Sequence, residues 1–314
     1  MAPDKPSLGS RLRSTLSRFC RKSPPALETP HGTKNEKGTN MSESPSPASS
    51  PAISPGSPKE KPKPFICVPL YIYPGPQAWE PLVAAARARP EAVFHAIINP
   101  HNGPGEGELP DENYVGALRE LAGLGNVKVI GYVHVTYGKR EAEEVERDIK
   151  KYAAWKGLDE GLRVDGIFFD EAPSGEDMMG YIAGLTRTAR RGLREANGED
   201  GLVLLNPGVV VPRAYYDLAD YIVAFEQAHG HWGQVRQEFM RSVEKRMRAK
   251  TVVMVHSCGV EESELKELAR GFKKEGILGQ YVTKQLEGGY SEWPPWWDSY
   301  VEAVFPGSVV AEME

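Results

Sequence analysis

Eight short apolar or β-branched runs recur between residues 65 and 283, and this recurrence limits the folds open to the chain more than any other feature. They read FICVPLYIY (65–73), VFHAIINP (93–100), VKVIGYVHV (127–135), DGIFFDE (165–171), LVLLNPG (202–208), YIVAFE (221–226), TVVMVHS (251–257) and ILGQYVT (277–283). Most of the segments between them carry helical spacing: Ala142, Val145, Ile149 and Tyr152; then Ile182, Leu185, Ala189 and Leu193; then Leu265, Leu268, Ala269 and Phe272. Strands alternating with helices demand right-handed βαβ units, and runs that are apolar on both faces suit a parallel sheet covered by helices. Eight such units closed on themselves predict an α/β fold, a (β/α)8 TIM-like barrel over residues 65–305. An open doubly wound sheet would place a glycine-rich phosphate turn after the first strand, where YIYPGPQAW stands instead. The interval between Asn206 and Tyr221 is too short for a full helix, so an irregular connection is expected there. Asp111 after Pro110, and Ser174 with Asp177 three residues on, are the expected helix N-caps.

Outside the barrel, residues 1–64 are rich in Pro, Ser, Lys and Gly and are expected to form a disordered basic arm and linker; residues 306–314 form a short tail. Within the arm, Leu8, Leu12, Leu16 and Phe19 share one helical face, and Arg11, Arg13, Arg18 and Arg21 supply charge without acids. That composition matches a mitochondrial transit peptide or a surface-seeking helix. The first 30 residues lack the apolar stretch of a secretory signal, so a cytoplasmic location is expected, with a mitochondrial one as the alternative. The chain contains no run of 18 apolar residues and no transmembrane segment is expected. The arm is basic, with 11 Lys and Arg against 5 Asp and Glu, which leaves the rest of the chain at a net charge of -11. A body that acidic argues against a nucleic-acid partner and suits neutral or cationic ligands. Cys20, Cys67 and Cys258 are too few and too scattered for a disulfide framework or a CxxC zinc site.

Barrel enzymes place their chemistry at the C-terminal ends of strands. Here those ends carry Asn99, His134 with Thr136, Asp170 with Glu171, Asn206, Glu226 with Gln227, His256 with Ser257, and Thr283. Because side chains alternate along a strand, Asp170 and Glu171 diverge unless the chain turns at once. Glu226, two strands away from Asp170, starts roughly 9–10 Å distant at about 4.8 Å per strand. Side chains converging on the axis would bring the pair into the roughly 5–9.5 Å range that glycosidase carboxylates span. One acid would protonate a leaving oxygen while the other stays ionised. Asp170 and Glu226 are therefore the expected catalytic pair, with Glu171 either a third catalytic acid or a cap or ion-pair partner.

Asn99 and Asn206, both followed by Pro, are candidate substrate ligands or simple turn formers. Tyr71, Tyr73, Trp79, Tyr132, Tyr137, Trp232, Trp293, Trp296 and Trp297 are aromatic residues near strand ends, where rings either stack on sugar faces or pack the core. The stretch GGYSEWPPWWDSY is expected to be a mouth loop. Among these, Tyr73, Tyr132, His134, His256 and Trp296 join Asn99 and Asn206 as expected substrate-binding residues. The first run lacks the HxH of metal-dependent barrel hydrolases, HGH at 229–231 has no evident third ligand, and neither a GxSxG elbow nor a P-loop occurs. No metal or cofactor is expected.

In their order, VPLYIYP, IINPHNGPG, VIGYVHVTYGKR, GIFFDEAP, LLNPG and ADYIVAFE resemble the spherulin-4-like family of glycoside hydrolases over roughly residues 65–305. The resemblance implies a (β/α)8 fold and endo-hydrolysis of a microbial exopolysaccharide, characterised relatives being fungal enzymes that cut α-1,4-linked N-acetylgalactosamine in galactosaminogalactan. It also implies that the family's acids correspond to Asp170, Glu171 and Glu226, with Asn206 beside them. Two alternatives stand against that activity. One is a non-catalytic carbohydrate-binding barrel; the other is a metal-dependent hydrolase using His134, His256 and Asp170. Because the arm contributes no apolar core, a chain starting near residue 62 should keep the full-length melting temperature, and a drop of many degrees by calorimetry would show that the arm packs on the barrel.

Overall fold

Parallel strands that are apolar on both faces must be covered on both, and a ring does this by turning one face on itself and the other to helices. The computed structural model describes residues 62–286 and 289–307. The arm, its amphipathic stretch and nearly all of the linker lie outside the described residues, as does most of the tail. Strands β1 (Phe65–Leu70), β2 (Phe94–Ile98), β3 (Val127–His134), β4 (Gly166–Asp170), β5 (Leu202–Asn206), β6 (Tyr221–Ala228), β7 (Thr251–His256) and β8 (Gly279–Val282) pair in chain order, all parallel, and β8 closes onto β1. The barrel expected from the repeating runs is the observed fold.

Between and after the strands run α1 (Glu80–Ala88), α2 (Glu112–Ala122), α3 (Ala142–Leu158), α4 (Met179–Asn197), α5 (Tyr215–Leu218), α6 (His229–Ser242), α7 (Glu262–Lys274) and α8 (Trp297–Val304). The expected helical stripes face inward: Val145, Ile149 and Tyr152 on α3, Ile182, Leu185, Ala189 and Leu193 on α4, and Leu265, Ala269 and Phe272 on α7 are all buried. As the short fifth interval requires, α5 is a single turn of 4 residues. Asp111 caps α2, its carboxylate accepting from the Asn113 and Tyr114 amides at 3.0 and 3.1 Å.

Ser174 does not cap α4. A tight turn over Glu176–Met178 intervenes, and α4 begins only at Met179. The Gly175 carbonyl accepts from the Met178 amide at 3.2 Å and from the Tyr215 hydroxyl at 2.6 Å, so this stretch braces the loop after β4 instead of starting a helix.

At the N-terminal end of the barrel Phe65 stacks on His95 and Tyr221 packs tilted against both, with ring centroids 4.2 Å apart for Phe65 and His95 and 4.4 Å for Phe65 and Tyr221. Burial in this plug pushes His95 down to about 3, so it packs as a neutral ring. Phe168 lies toward the interior beside Tyr132, and the fully buried Phe169 on the opposite face of β4 packs under the helices. Gly131 in β3 is a requirement of close packing: a Cβ there would meet the Tyr152 ring at 2.8 Å, and the Tyr152 hydroxyl donates to the Tyr132 carbonyl at 3.1 Å. Phe169→Ala should destabilise the chain by about 3–5 kcal/mol, the range for truncating a core Phe, as read by denaturant unfolding.

Candidate active site

Two local irregularities aim the acids into the barrel mouth. Asp170 is the last residue of β4, and Glu171 directly after it adopts φ 52°, a left-handed conformation that turns the chain at once. The turn is held by the Tyr137 amide donating to the Glu171 carbonyl at 2.6 Å and the Ala172 amide donating to the Asn206 carbonyl at 2.9 Å. Asp170 therefore keeps the inward direction of Phe168, two residues earlier.

Glu226 arrives by a different device. Tyr221 faces the interior in the Phe65 and His95 stack, so strict alternation would bring in Val223 and Phe225 and send Glu226 outward. The β6–β7 register shifts between Val223 and Phe225, a β-bulge that leaves Ala224 as the extra residue. Beyond it Phe225 points out, against Trp232 and Phe239, and Glu226 points in.

Asn206 ends β5, between the two acid-bearing strands and level with Asp170. Its Nδ2 donates to Asp170 Oδ1 at 2.8 Å and to Glu226 Oε2 at 2.6 Å. Two oxygens bound to one nitrogen are separated by no more than about the 5–5.5 Å typical of retaining glycosidases. The outer oxygens are also occupied: Tyr132 donates to Asp170 Oδ2 at 2.8 Å, and Tyr290 donates to Glu226 Oε1 at 2.7 Å. Tyr71 presents its ring between those of Tyr132 and Tyr290, at 5.7 and 5.9 Å.

Burial raises the pKa of both carboxyls. For Asp170 that rise is opposed by Tyr132, the Glu171 amide, Asn206 and the nearby His134. Glu226 is raised further by the charge of Asp170, and only Tyr290 and Asn206 oppose it. Asp170 therefore has more groups favouring its ionised form than Glu226 has. Glu171 is also raised, by burial and then by Asp170, against a hydrogen bond from Thr136 and the charge of Lys139.

The other expected residues divide. His134 lies level with Asp170 on β3, and burial followed by the Arg140 charge lowers its pKa. His256 ends β7 and hydrogen-bonds Ser257 Oγ through Nδ1 at 2.9 Å. Asn99 accepts from the Gly103 amide at 2.9 Å and so shapes the loop after β2. Tyr73 is exposed and its hydroxyl donates to Asp111 at 3.2 Å. Trp296 is exposed beside Thr283 and Lys284 over the end of β8. Trp79, Trp232 and Trp297 are buried and pack the core. The metal alternative is not supported: His134, His256 and Asp170 are not assembled, and among the described residues no group of three His, Cys, Asp or Glu could hold a metal ion. Tyr290 is the site residue that sequence reasoning did not single out, although it lies in the stretch read as a mouth loop.

A closed (β/α)8 barrel with two bridged, partly buried carboxyls at its C-terminal mouth has the layout of a barrel enzyme's active site. The chain belongs to the spherulation-specific family 4, whose model matches residues 65–304. It is similar to spherulin-4 of Physarum polycephalum, 34% identical over 164 residues, a match covering 52% of this chain and 45% of that protein. The chain thus spans about half the length of that curated relative. It is also similar to Sph3 of Aspergillus clavatus, solved in complex with GalNAc, with a TM-score of 0.68 and 33% identity over 78% of this chain and 98% of Sph3.

A carboxyl whose pKa is raised by folding favours the folded state below its ordinary range, and that contribution is lost as pH rises through the folded value. Asp170→Asn and Glu226→Gln should therefore melt at or above the wild-type temperature at neutral pH. Their advantage should shrink as pH falls toward the ordinary carboxyl range, and scanning calorimetry across that window reads it directly.

Proposed function

We infer that the chain is a glycoside hydrolase cutting an amino-sugar polysaccharide, with α-1,4-linked N-acetylgalactosamine as the favoured substrate. The observation that carries this is the Asp170–Asn206–Glu226 bridge, two carboxyls held by one amide with their near oxygens within the range of retaining enzymes. The ligand class draws support from family membership and from the GalNAc bound to Sph3.

In this mechanism Glu226 gives its proton to the glycosidic oxygen as the C–O bond breaks. Asp170, already ionised, stabilises the oxocarbenium-like centre and forms the bond to the anomeric carbon. Glu226, now a carboxylate, takes a proton from water as that water displaces Asp170, which restores the starting state and retains the anomeric configuration. Inverting enzymes hold their carboxyls roughly 6.5–9.5 Å apart, and the amide bridge keeps the near oxygens of this pair closer than that. Tyr73, Tyr137, Val209, Val210, Leu286 and Trp296 are exposed in loops that follow strands, where apolar and aromatic side chains suit sugar faces, and we take the cut to fall within a chain.

Asp170→Asn and Glu226→Gln should each lower turnover on α-1,4-N-acetylgalactosamine oligomers by roughly 10²–10⁴-fold, the scale of acid/base contributions, while sugar binding persists. Glu226→Gln should recover turnover on an oligosaccharide carrying a dinitrophenyl leaving group, which needs no proton, and Asp170→Asn should not. Full activity in both variants would overturn the mechanism and favour the binding-barrel alternative. The anomer first released, read by proton NMR, checks retention.

A further inference from the structure

Among the described residues, Tyr290 is the one side-chain donor to the acid pair that lies outside the barrel strands. It lies in the loop between β8 and α8 at φ 126°, and its hydroxyl reaches Glu226 Oε1 at 2.7 Å. Three contacts deliver it. The Tyr290 amide donates to Gln285 Oε1 at 2.7 Å, and the Gln285 carbonyl accepts from the Ser257 amide at 2.7 Å, which ties the loop to the end of β7. Further along, Trp293 Nε1 donates to the Ala78 carbonyl at 2.8 Å, which pins the same loop to the segment leading into α1. The ring itself packs edge-on against Tyr71 and Tyr281, at 5.9 and 5.8 Å. A phenol anchored on that many sides is placed, not incidental.

We propose that Tyr290 is a positioning residue that holds Glu226 Oε1, so that the catalytic proton is carried by Oε2, the oxygen that faces Asp170 and accepts from the Asn206 amide through its remaining lone pair. This rests on the acid/base roles inferred above. Its chemical effect appears in the transition state: as the proton leaves Oε2, negative charge builds on the carboxyl, and the phenol O–H already points at it. A hydrogen bond that strengthens as charge develops raises turnover without tightening substrate binding. The groups facing Glu226 are Cys67 and Tyr71 from β1 and the residue after it, Tyr132 on β3, Asp170 on β4, Asn206 on β5 and Tyr290 itself. Of these, Tyr290 and Asn206 favour the ionised form of Glu226, and the charge of Asp170 opposes it. Tyr132 performs the matching service for Asp170 Oδ2, which makes it the internal control.

The test compares wild type, Tyr290→Phe, Tyr132→Phe and Glu226→Gln in the full chain. It measures kcat and KM from acid to alkaline pH on an α-1,4-N-acetylgalactosamine oligomer. Tyr290→Phe keeps the ring packing and should lower kcat roughly 10- to 100-fold, the scale of a hydrogen bond to a charged group, with KM nearly unchanged. Removing a donor that favours the ionised form raises the proton affinity of Glu226, so the alkaline limb should move to higher pH by more than the acid limb does. Tyr132→Phe should move chiefly the acid limb. Should Tyr290→Phe fail to fold, Gln285→Leu removes the anchor of the Tyr290 amide, and its alkaline limb should move the same way by less. Unchanged limbs and kcat in the folded Tyr290 variant, with Glu226→Gln inactive, would overturn the role of Tyr290 alone. An active Glu226→Gln would instead overturn the acid assignment beneath it.

Discussion

The site depends on one nitrogen. Asn206 Nδ2 holds Asp170 on one side and Glu226 on the other, and those three residues come from three adjacent strands, β4, β5 and β6. Strands in a sheet lie about 4.8 Å apart, so carboxyls two strands apart would sit too far from each other without convergence toward the axis. A closed barrel supplies that convergence, and a neutral amide between two acids keeps them from repelling each other apart. A positively charged residue at the same position would instead favour the ionised form of both acids.

Placing the bridge costs regularity on both flanks. On β6 the bulge at Ala224 reverses the alternation so that Glu226 turns in and Phe225 turns out to the Trp232 cluster. On β4 the left-handed Glu171 ends the strand immediately after Asp170. Thr136 and Tyr137, which follow the neighbouring strand β3 and bond to Glu171, are also left-handed at φ 48° and 54°. Positive φ in non-glycine residues carries a conformational penalty that the surrounding structure must offset. Among the described residues the opposite end of the barrel shows none of this: Phe65, His95 and Tyr221 close it with packed rings, and His95 is held neutral.

Much of this was legible in the sequence, for identifiable reasons. The eight strands were readable because each is a short apolar run bounded by polar residues, and Asp170, Asn206 and Glu226 could be placed at the mouth because each terminates such a run. The direction of Glu226 was not readable: YIVAFE looks like a continuous buried strand whether or not it contains a bulge, since both faces of a parallel strand are apolar. Ser174 failed as a cap because a Ser with an acid three residues on is a local signal, and the loop's bonds to Tyr215 are a tertiary one. Tyr290 was hidden for the same reason, since its partner lies 64 residues away and its own neighbourhood, a glycine-rich and tryptophan-rich loop, marks only a mouth.

The choice of phenols as the outer donors follows from the same proton economy as the choice of Asn206. Tyr71, Tyr132 and Tyr290 are all pushed well above the ordinary phenol range by burial and by the acids, so they stay protonated wherever the acids titrate. A phenol can orient a carboxyl without carrying a charge, and it can donate whether that carboxyl is neutral or ionised. Lysine or arginine would orient it as well, but would also stabilise the anion strongly enough to lower its proton affinity out of the useful range. The nearest cationisable ring, His134, has its pKa lowered by burial and by Arg140, which leaves it largely neutral and limits its pull on Asp170. The pair is thus surrounded by groups that direct protons without supplying charge, and two carboxyls in one low-dielectric mouth can then hold a single proton between them.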